Sequence, residues 1–341
     1  MKHLLLILLG ILAFPQVFSQ WKIIEKNEIN PILTNKNSHA SSIIELKNGH
    51  LMTTWFEGTH EGNIDVAIYI SIYSKGKWQK AEKVATGIDQ NGQRFPCWNP
   101  VLFQNSKGKI FILYKAGPNP REWWGMKISS ADNGKTWSKP EKLPDGFLGA
   151  VKNKPLLLKN NTFLHGSSTE SKDEKIWNVH FEISDENLDH WKKIEIDNGN
   201  FGIIQPSLIQ HPDGRIQALM RSRQNKIISV FSNDQGKSWS LPLPLDIPNP
   251  NSAMDAIRLS DGTFLMVYNP LEAGKNWWEG RNILKLAASK DGLNWTDILT
   301  LENHEKGEFS YPAIILSKSG KIHISYTNNR KNILHLVLQK L

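Results

Sequence analysis

Six short segments carry the polar side chains of this sequence that could act on a ligand. They are His39-Ala40-Ser41, Trp98-Asn99-Pro100, Lys152-Asn153-Lys154-Pro155, Gln205-Pro206-Ser207, Asn249-Pro250-Asn251-Ser252 and Ser310-Tyr311-Pro312. Their side chains are rich in hydrogen-bonding groups and cations and poor in apolar ones. A hydroxyl-rich or anionic ligand such as a sugar needs that lining, with tryptophan faces for stacking. Each member also has a plainer reading. His39 can hydrogen-bond a strand end, Lys152 and Lys154 can be solvated, Tyr311 can pack in a core, and Asn249-Pro250 can be a rigid turn.

The elements that must position these segments are hairpins. Polar turns at Asn48-Gly49, Lys107-Gly108, Asn160-Asn161, Asp213-Gly214, Asp261-Gly262 and Ser319-Gly320 join apolar alternating runs and recur every 48 to 59 residues. That period is too long for a solenoid coil and fits a four-stranded propeller blade. After most turns comes a Ser…Asp…Gly…Trp box, complete at Ser130–Trp137 and Ser232–Trp239, one residue short at Ser289–Trp295, and reduced at Ser71…Trp78 and Ser184…Trp191. An aspartate can accept turn amides, a glycine permits positive φ, and a tryptophan can pack under the hairpin, so the boxes read as structural. The expectation is an all-β, six-bladed propeller over residues 21–341, its last blade closed by Trp21–Glu25 so that no sheet edge is left open. One segment of each unit then meets the others at a single axial mouth.

The remaining features bound the function. Lys2, the apolar stretch Leu4 to Phe14 and Ser19 read as a removable leader ending at Gln20, too short for a spanning helix, so an exported protein without a membrane anchor is expected, periplasmic or secreted. Cys97 is the sole cysteine, which excludes an internal disulfide and reads as a buried thiol. The net charge of +8 is spread along the chain without a basic run; it suits a mouth attracting anionic sugars, and no nucleic-acid motif accompanies it. No spacing of His, Asp and Glu demands a metal, and no cofactor is expected.

Repeated Asp-boxes on six blades resemble the sialidase (neuraminidase) superfamily over nearly all of residues 21–341. The resemblance implies an arginine triad around a substrate carboxylate, a tyrosine nucleophile with a glutamate beside it, and an aspartic acid/base. Arg221, after the hairpin from Gln205 to Met220, fits the second arginine. Arg281, before Ser289, fits the third. Tyr311 fits the tyrosine, and Asp65 in Glu61-Gly62-Asn63-Ile64-Asp65 fits the acid/base. Two positions depart: His39-Ala40-Ser41 stands where an Arg-Ile-Pro signature is expected, and Gln205 stands at the assisting glutamate. The segments Trp98-Asn99-Pro100, Lys152-Asn153-Lys154-Pro155, Ser168-Thr169-Glu170, Asn249-Pro250-Asn251-Ser252 and Ser310-Tyr311-Pro312 are similar to a poorly characterised sialidase-like branch.

Three functions stay open on these residues. In a glycoside hydrolase removing a terminal acidic or polar sugar, Tyr311 attacks the anomeric carbon or positions a water, and Asp65 or Glu61 protonates the leaving oxygen. Arg221, Arg281, Lys152, Lys154, Gln205, Asn99, Asn251 and Glu308 would bind substrate, although Glu308 or Asp255 could instead pair with the arginines. In a polysaccharide lyase, by analogy with propeller lyases acting on rhamnose–glucuronate or ulvan-like chains, His39 and Tyr311 are base and acid of a β-elimination from a uronic acid. In a carbohydrate-binding propeller the basic mouth remains and the chemistry is lost.

Overall fold

A computed structural model describes residues 20–276 and 278–341. All but Gln20 of the expected leader lies outside the described residues. Among those residues no helix is long and apolar enough to cross a membrane.

Every described element is a strand, and the strands form six antiparallel sheets arranged as propeller blades. Blade 1 is built on Asn37–Glu45, Leu51–Gly58, Ala67–Ser74 and Glu82–Ile88, with two short added pieces. Blades 2 to 5 begin at Cys97–Gln104, Leu156–Leu157, Ile203–Gln210 and Asp255–Arg258 and each adds three strands outward. Blade 6 runs Phe309–Leu316, Ile322–Asn328, Asn332–Lys340 and then Trp21–Glu28, the first strand of the chain. Trp21 pairs with Lys340 and Glu28 with Leu334, so the chain ends close the ring together. The closing strand has the place expected from sequence and runs three residues further.

Alternating apolar residues put one face of each sheet against its neighbour, and each seam carries its own apolar cluster. Met52, Ile68 and Ile112 fill the seam of blades 1 and 2, and Phe103, Leu113 and Phe163 that of blades 2 and 3. Leu164, Phe181 and Ile228 join blades 3 and 4, and Leu219, Met254 and Met266 join blades 4 and 5. Leu265, Leu286 and Ile324 join blades 5 and 6, and Ile43 meets Ala313 to close the circle. Cys97 belongs to the first seam, where burial pushes its thiol up to about 12, as a packed, unreactive cysteine requires.

The boxes tie hairpins rather than ligands. Asp132 accepts the Thr136 amide at 2.9 Å and its hydroxyl at 2.6 Å, while the Gly134 amide donates to Ser130 Oγ at 2.9 Å. Asp234 repeats the pattern with Ser238, and these bonds hold both aspartates down at about 2. The Trp239 ring stacks on Phe181 of blade 3 with centroids 3.7 Å apart, so a box tryptophan also packs a seam.

Candidate functional site

The mouth is made by a repeated defect in the inner strands. The ladder slips between His39 and Ser42, Trp98 and Val101, Ile204 and Ser207, and Ser310 and Ala313. At each slip the first residue out of register has positive φ: Ala40 at 56°, Asn99 at 38°, Gln205 at 58° and Tyr311 at 53°. Asn251, at 51°, leads into blade 5. In three slips the next residue is proline, which lacks an amide for the ladder and is tolerated where pairing is already broken. A bulge re-aims a side chain, and held left-handed geometry at a non-glycine residue costs roughly 1–3 kcal/mol, which the surrounding packing must offset.

Asn99, Gln205, Asn251 and Tyr311 thereby line one cavity of about 500 Å³, together with Arg221, Glu61, Glu170, Trp98, Trp123 and Trp177. Arg221 comes from the second strand of blade 4 and is only 5% exposed. Its Nη1 donates to the Tyr311 hydroxyl at 2.8 Å and to Gln205 Oε1 at 3.3 Å, and its Nε donates to Asn251 Oδ1 at 2.8 Å. All of these acceptors are neutral. Burial pulls the guanidinium below its ordinary value, yet it stays far inside the charged range. A cation held this way is in want of an anion.

Beside it lies a second group of charges. Glu308 accepts Arg281 Nη1 at 3.1 Å, Arg330 Nε at 2.8 Å and Ser310 Oγ at 2.7 Å. Arg330 also pairs with Glu61, whose side chain lines both the mouth and a neighbouring depression with Arg330 and Glu308. Burial would raise the Glu308 carboxyl, but the Arg330 and Arg281 guanidiniums beside it outweigh that and hold it well below the usual range. The Arg221 and Arg281 guanidinium carbons lie 5.8 and 5.9 Å from the Tyr311 ring centre, so both charge groups flank the tyrosine.

Several expected residues lie elsewhere. His39 stands one residue short of the strained position, which Ala40 holds. Its ring packs on Tyr311 at 4.2 Å, Nδ1 is 2.9 Å from the Thr327 hydroxyl, and the residue is 1% exposed. Burial first, and then Arg330, keep its pKa well below the ordinary histidine value, so the imidazole is neutral. Asp65 is not part of the cavity wall. Its carboxylate turns back to accept the Thr59 amide at 3.0 and 3.2 Å, and those bonds outweigh desolvation and keep it ionised.

Lys152 and Lys154 form an axial plug rather than a mouth lining. The inner strand of blade 3 is only Leu156–Leu157, and the segment before it reaches across to blades 5 and 6. Lys152 Nζ donates to the Pro312 carbonyl of the opposite blade and to Asn153 Oδ1 at 3.1 Å. Lys154 pairs at 2.7 Å with Asp255, which also accepts Ser207 Oγ at 2.9 Å and the Ile314 amide at 3.0 Å. Asp255 therefore links blades 3, 4, 5 and 6. Its pairing with Lys154, not with an arginine, follows from that crossing.

Arg330, Trp123 and Trp177 carry no sequence signal as site residues, and Glu170 is only a weak candidate from its motif. Arg330 sits in the turn between the last two strands of the chain at φ 55°, with no motif around it. Glu170 ends the strand Thr162–Glu170, and the signal for it was the position of that strand end beside the mouth. Among the described residues no cluster of three or more His, Cys, Asp and Glu side chains could hold a metal ion.

Fold and site together define a sialidase-like propeller. Residues 49–324 match the BNR repeat-like domain family, and the chain belongs to it. A stretch of 66 residues is 35% identical to an anhydrosialidase of Macrobdella decora, covering 19% of this chain and 9% of that protein. A protein of unknown function from Dyadobacter fermentans superposes with a TM-score of 0.76 at 17% identity, over 94% of this chain and 99% of the other. Trypanosoma rangeli sialidase in complex with sialic acid superposes with a TM-score of 0.72 at 14% identity, over 92% and 58%.

Proposed function

We propose that this chain is an exported glycoside hydrolase that removes a terminal anionic sugar from a glycan. The observation that carries the reading is Arg221, a buried cation in the cavity wall whose hydrogen-bond partners are all neutral. A ligand carboxylate supplies the missing charge and accepts two parallel N–H bonds from a guanidinium. The sialic acid bound to the Trypanosoma rangeli sialidase is a sugar of this kind. Arg281 and Arg330 share Glu308, and Arg330 also pairs with Glu61, so the charges of that neighbouring group balance one another. Trp123 and Trp177, both half-buried, line the cavity with aromatic surface on which a sugar ring can pack.

With the carboxylate on Arg221, the Tyr311 hydroxyl lies 2.8 Å from that guanidinium, next to where the anomeric carbon of an acidic sugar would sit. A β-elimination by His39 would need its imidazole at the substrate, and the buried ring behind Tyr311 leaves hydrolysis the better supported chemistry. A screen of purified protein against acidic oligosaccharides tests the reading. Released reducing sugar without new ultraviolet absorbance is expected. A product absorbing through a new double bond, or no release from any acidic glycan, would overturn it.

A further inference from the structure

Among the described residues four carboxylates, Glu61, Glu170, Glu174 and Glu308, line the mouth or the depression beside it, and three are already engaged. Glu308 holds Arg281 and Arg330. Glu61 pairs with Arg330, and Glu174 with Arg121. Among the described residues the Glu170 carboxyl has no hydrogen-bond or ion-pair partner, although it lines the cavity together with Trp123 and Trp177. Burial raises its carboxyl above the ordinary value, against the opposing charges of Arg221, Arg121 and Arg223. A half-buried carboxyl without a partner, open to a ligand cavity, is a poor structural element and a good proton carrier.

We infer that Glu170 is the catalytic acid and base of this mouth, and that it is loaded with a proton when an anionic sugar docks on Arg221. This rests on the hydrolase reading for its chemistry. An anion on Arg221 cancels the charge that now favours ionised Glu170 and adds a negative charge nearby, and both effects raise its pKa. The loaded proton passes to the glycosidic oxygen as the bond from that oxygen to the anomeric carbon breaks. The bonding pair leaves with the oxygen, and the aglycone departs as a neutral alcohol. Water then adds to the anomeric carbon, and its surplus proton returns to the Glu170 carboxylate. The task thus moves from blade 1, where Asp65 is tied to a turn, and from blade 4, where Gln205 cannot take a proton, to the end of a blade 3 strand.

Three measurements on Glu170→Gln test this. Acidic glycosides with activated aryl leaving groups need no proton at bond cleavage, so E170Q should keep kcat/KM within about tenfold of wild type on them, a parameter that does not read the later water step, and should lose about 10²–10⁴-fold in kcat/KM on alkyl glycosides. Equal slowing for both leaving groups, or a change in KM alone, would overturn the role. Infrared pH titration of the ligand-free protein should show a protonated-carboxyl band that persists above the ordinary glutamate range and is absent from E170Q. If that band titrates normally, the assignment is wrong whatever the protein turns over. If wild type cleaves no acidic glycoside, the hydrolase reading fails, and with it the catalytic role. Proton uptake on binding sialic or glucuronic acid, measured by calorimetry in buffers of different ionisation enthalpy, then decides whether Glu170 is still loaded by an anion. Uptake lost in E170Q supports the loading, and uptake unchanged in E170Q refutes it.

Discussion

Replacing Glu308 by glutamine removes the one negative charge that Arg281 and Arg330 share. The Glu308 side chain is 15% exposed and the Arg281 side chain 1%, so the pair is shielded from solvent. Taking away one partner of a buried, hydrogen-bonded ion pair costs about 3–5 kcal/mol, because the other charge stays buried without compensation. Glutamine keeps one acceptor for the arginines, which places E308Q near the lower end, about 3 kcal/mol. Urea unfolding followed by tryptophan fluorescence reads that loss as a lower midpoint with an unchanged slope. The sign of its pH dependence follows from the depressed carboxyl. The stabilisation is fully present above the unfolded glutamate pKa of about 4.3 and is lost as the pH falls from there through the folded value. The gap between wild type and E308Q should therefore be full near neutrality and narrow in acid. Equal midpoints at neutral pH, or a gap that stays constant into acid, would refute the reasoning.

Other outcomes follow from the same geometry. Tyr311→Phe should cut turnover by at least about 10²-fold while an acidic sugar still binds on Arg221, measured by steady-state kinetics beside calorimetry. Lys152 is buried with its pKa pulled down to about 7, so wild-type stability should rise with pH from there up to the ordinary lysine value, and Lys152→Met should flatten that rise in urea unfolding measured across the range. Removal of residues 20–28 should expose the edge of Asn332–Lys340 and give a protein that associates, seen by light scattering. Trp239→Ala should lower the thermal midpoint through loss of its partly buried ring, with the broken stack on Phe181 contributing about 0.5–1.5 kcal/mol of the loss.

The blades were legible because hairpin turns and boxes are local signals, and each is set by residues close in sequence. Closure by the first strand was legible because the last unit lacked an outer partner. Part of the mouth was legible for a related reason. Asn99, Gln205 and Tyr311 each precede proline at the same point of a blade, and proline marks the bulge that turns them inward. His39 was read one residue out of place, since nothing in His39-Ala40-Ser41 says which residue takes the strained geometry. Lys152 and Lys154 were misplaced because their reach from the short inner strand of blade 3 to blades 5 and 6 is a tertiary fact. Asp65 found a nearer partner in the Thr59 amide. Arg330 carries no pattern at all; its role comes from the meeting of a late turn with Glu61 and Glu308, which lie 269 and 22 residues away.

The central claim is that Arg221 waits for an anion, and calorimetry tests it most directly. Sialic, glucuronic and galacturonic acids are titrated into wild type and Arg221→Met, and the best binder is compared with its methyl ester. The acid should bind wild type at least about tenfold more tightly than the ester, a difference of about 1.4 kcal/mol, and R221M should lose that preference. An ester that binds as well as its acid, or a preference that survives in R221M, would contradict the account.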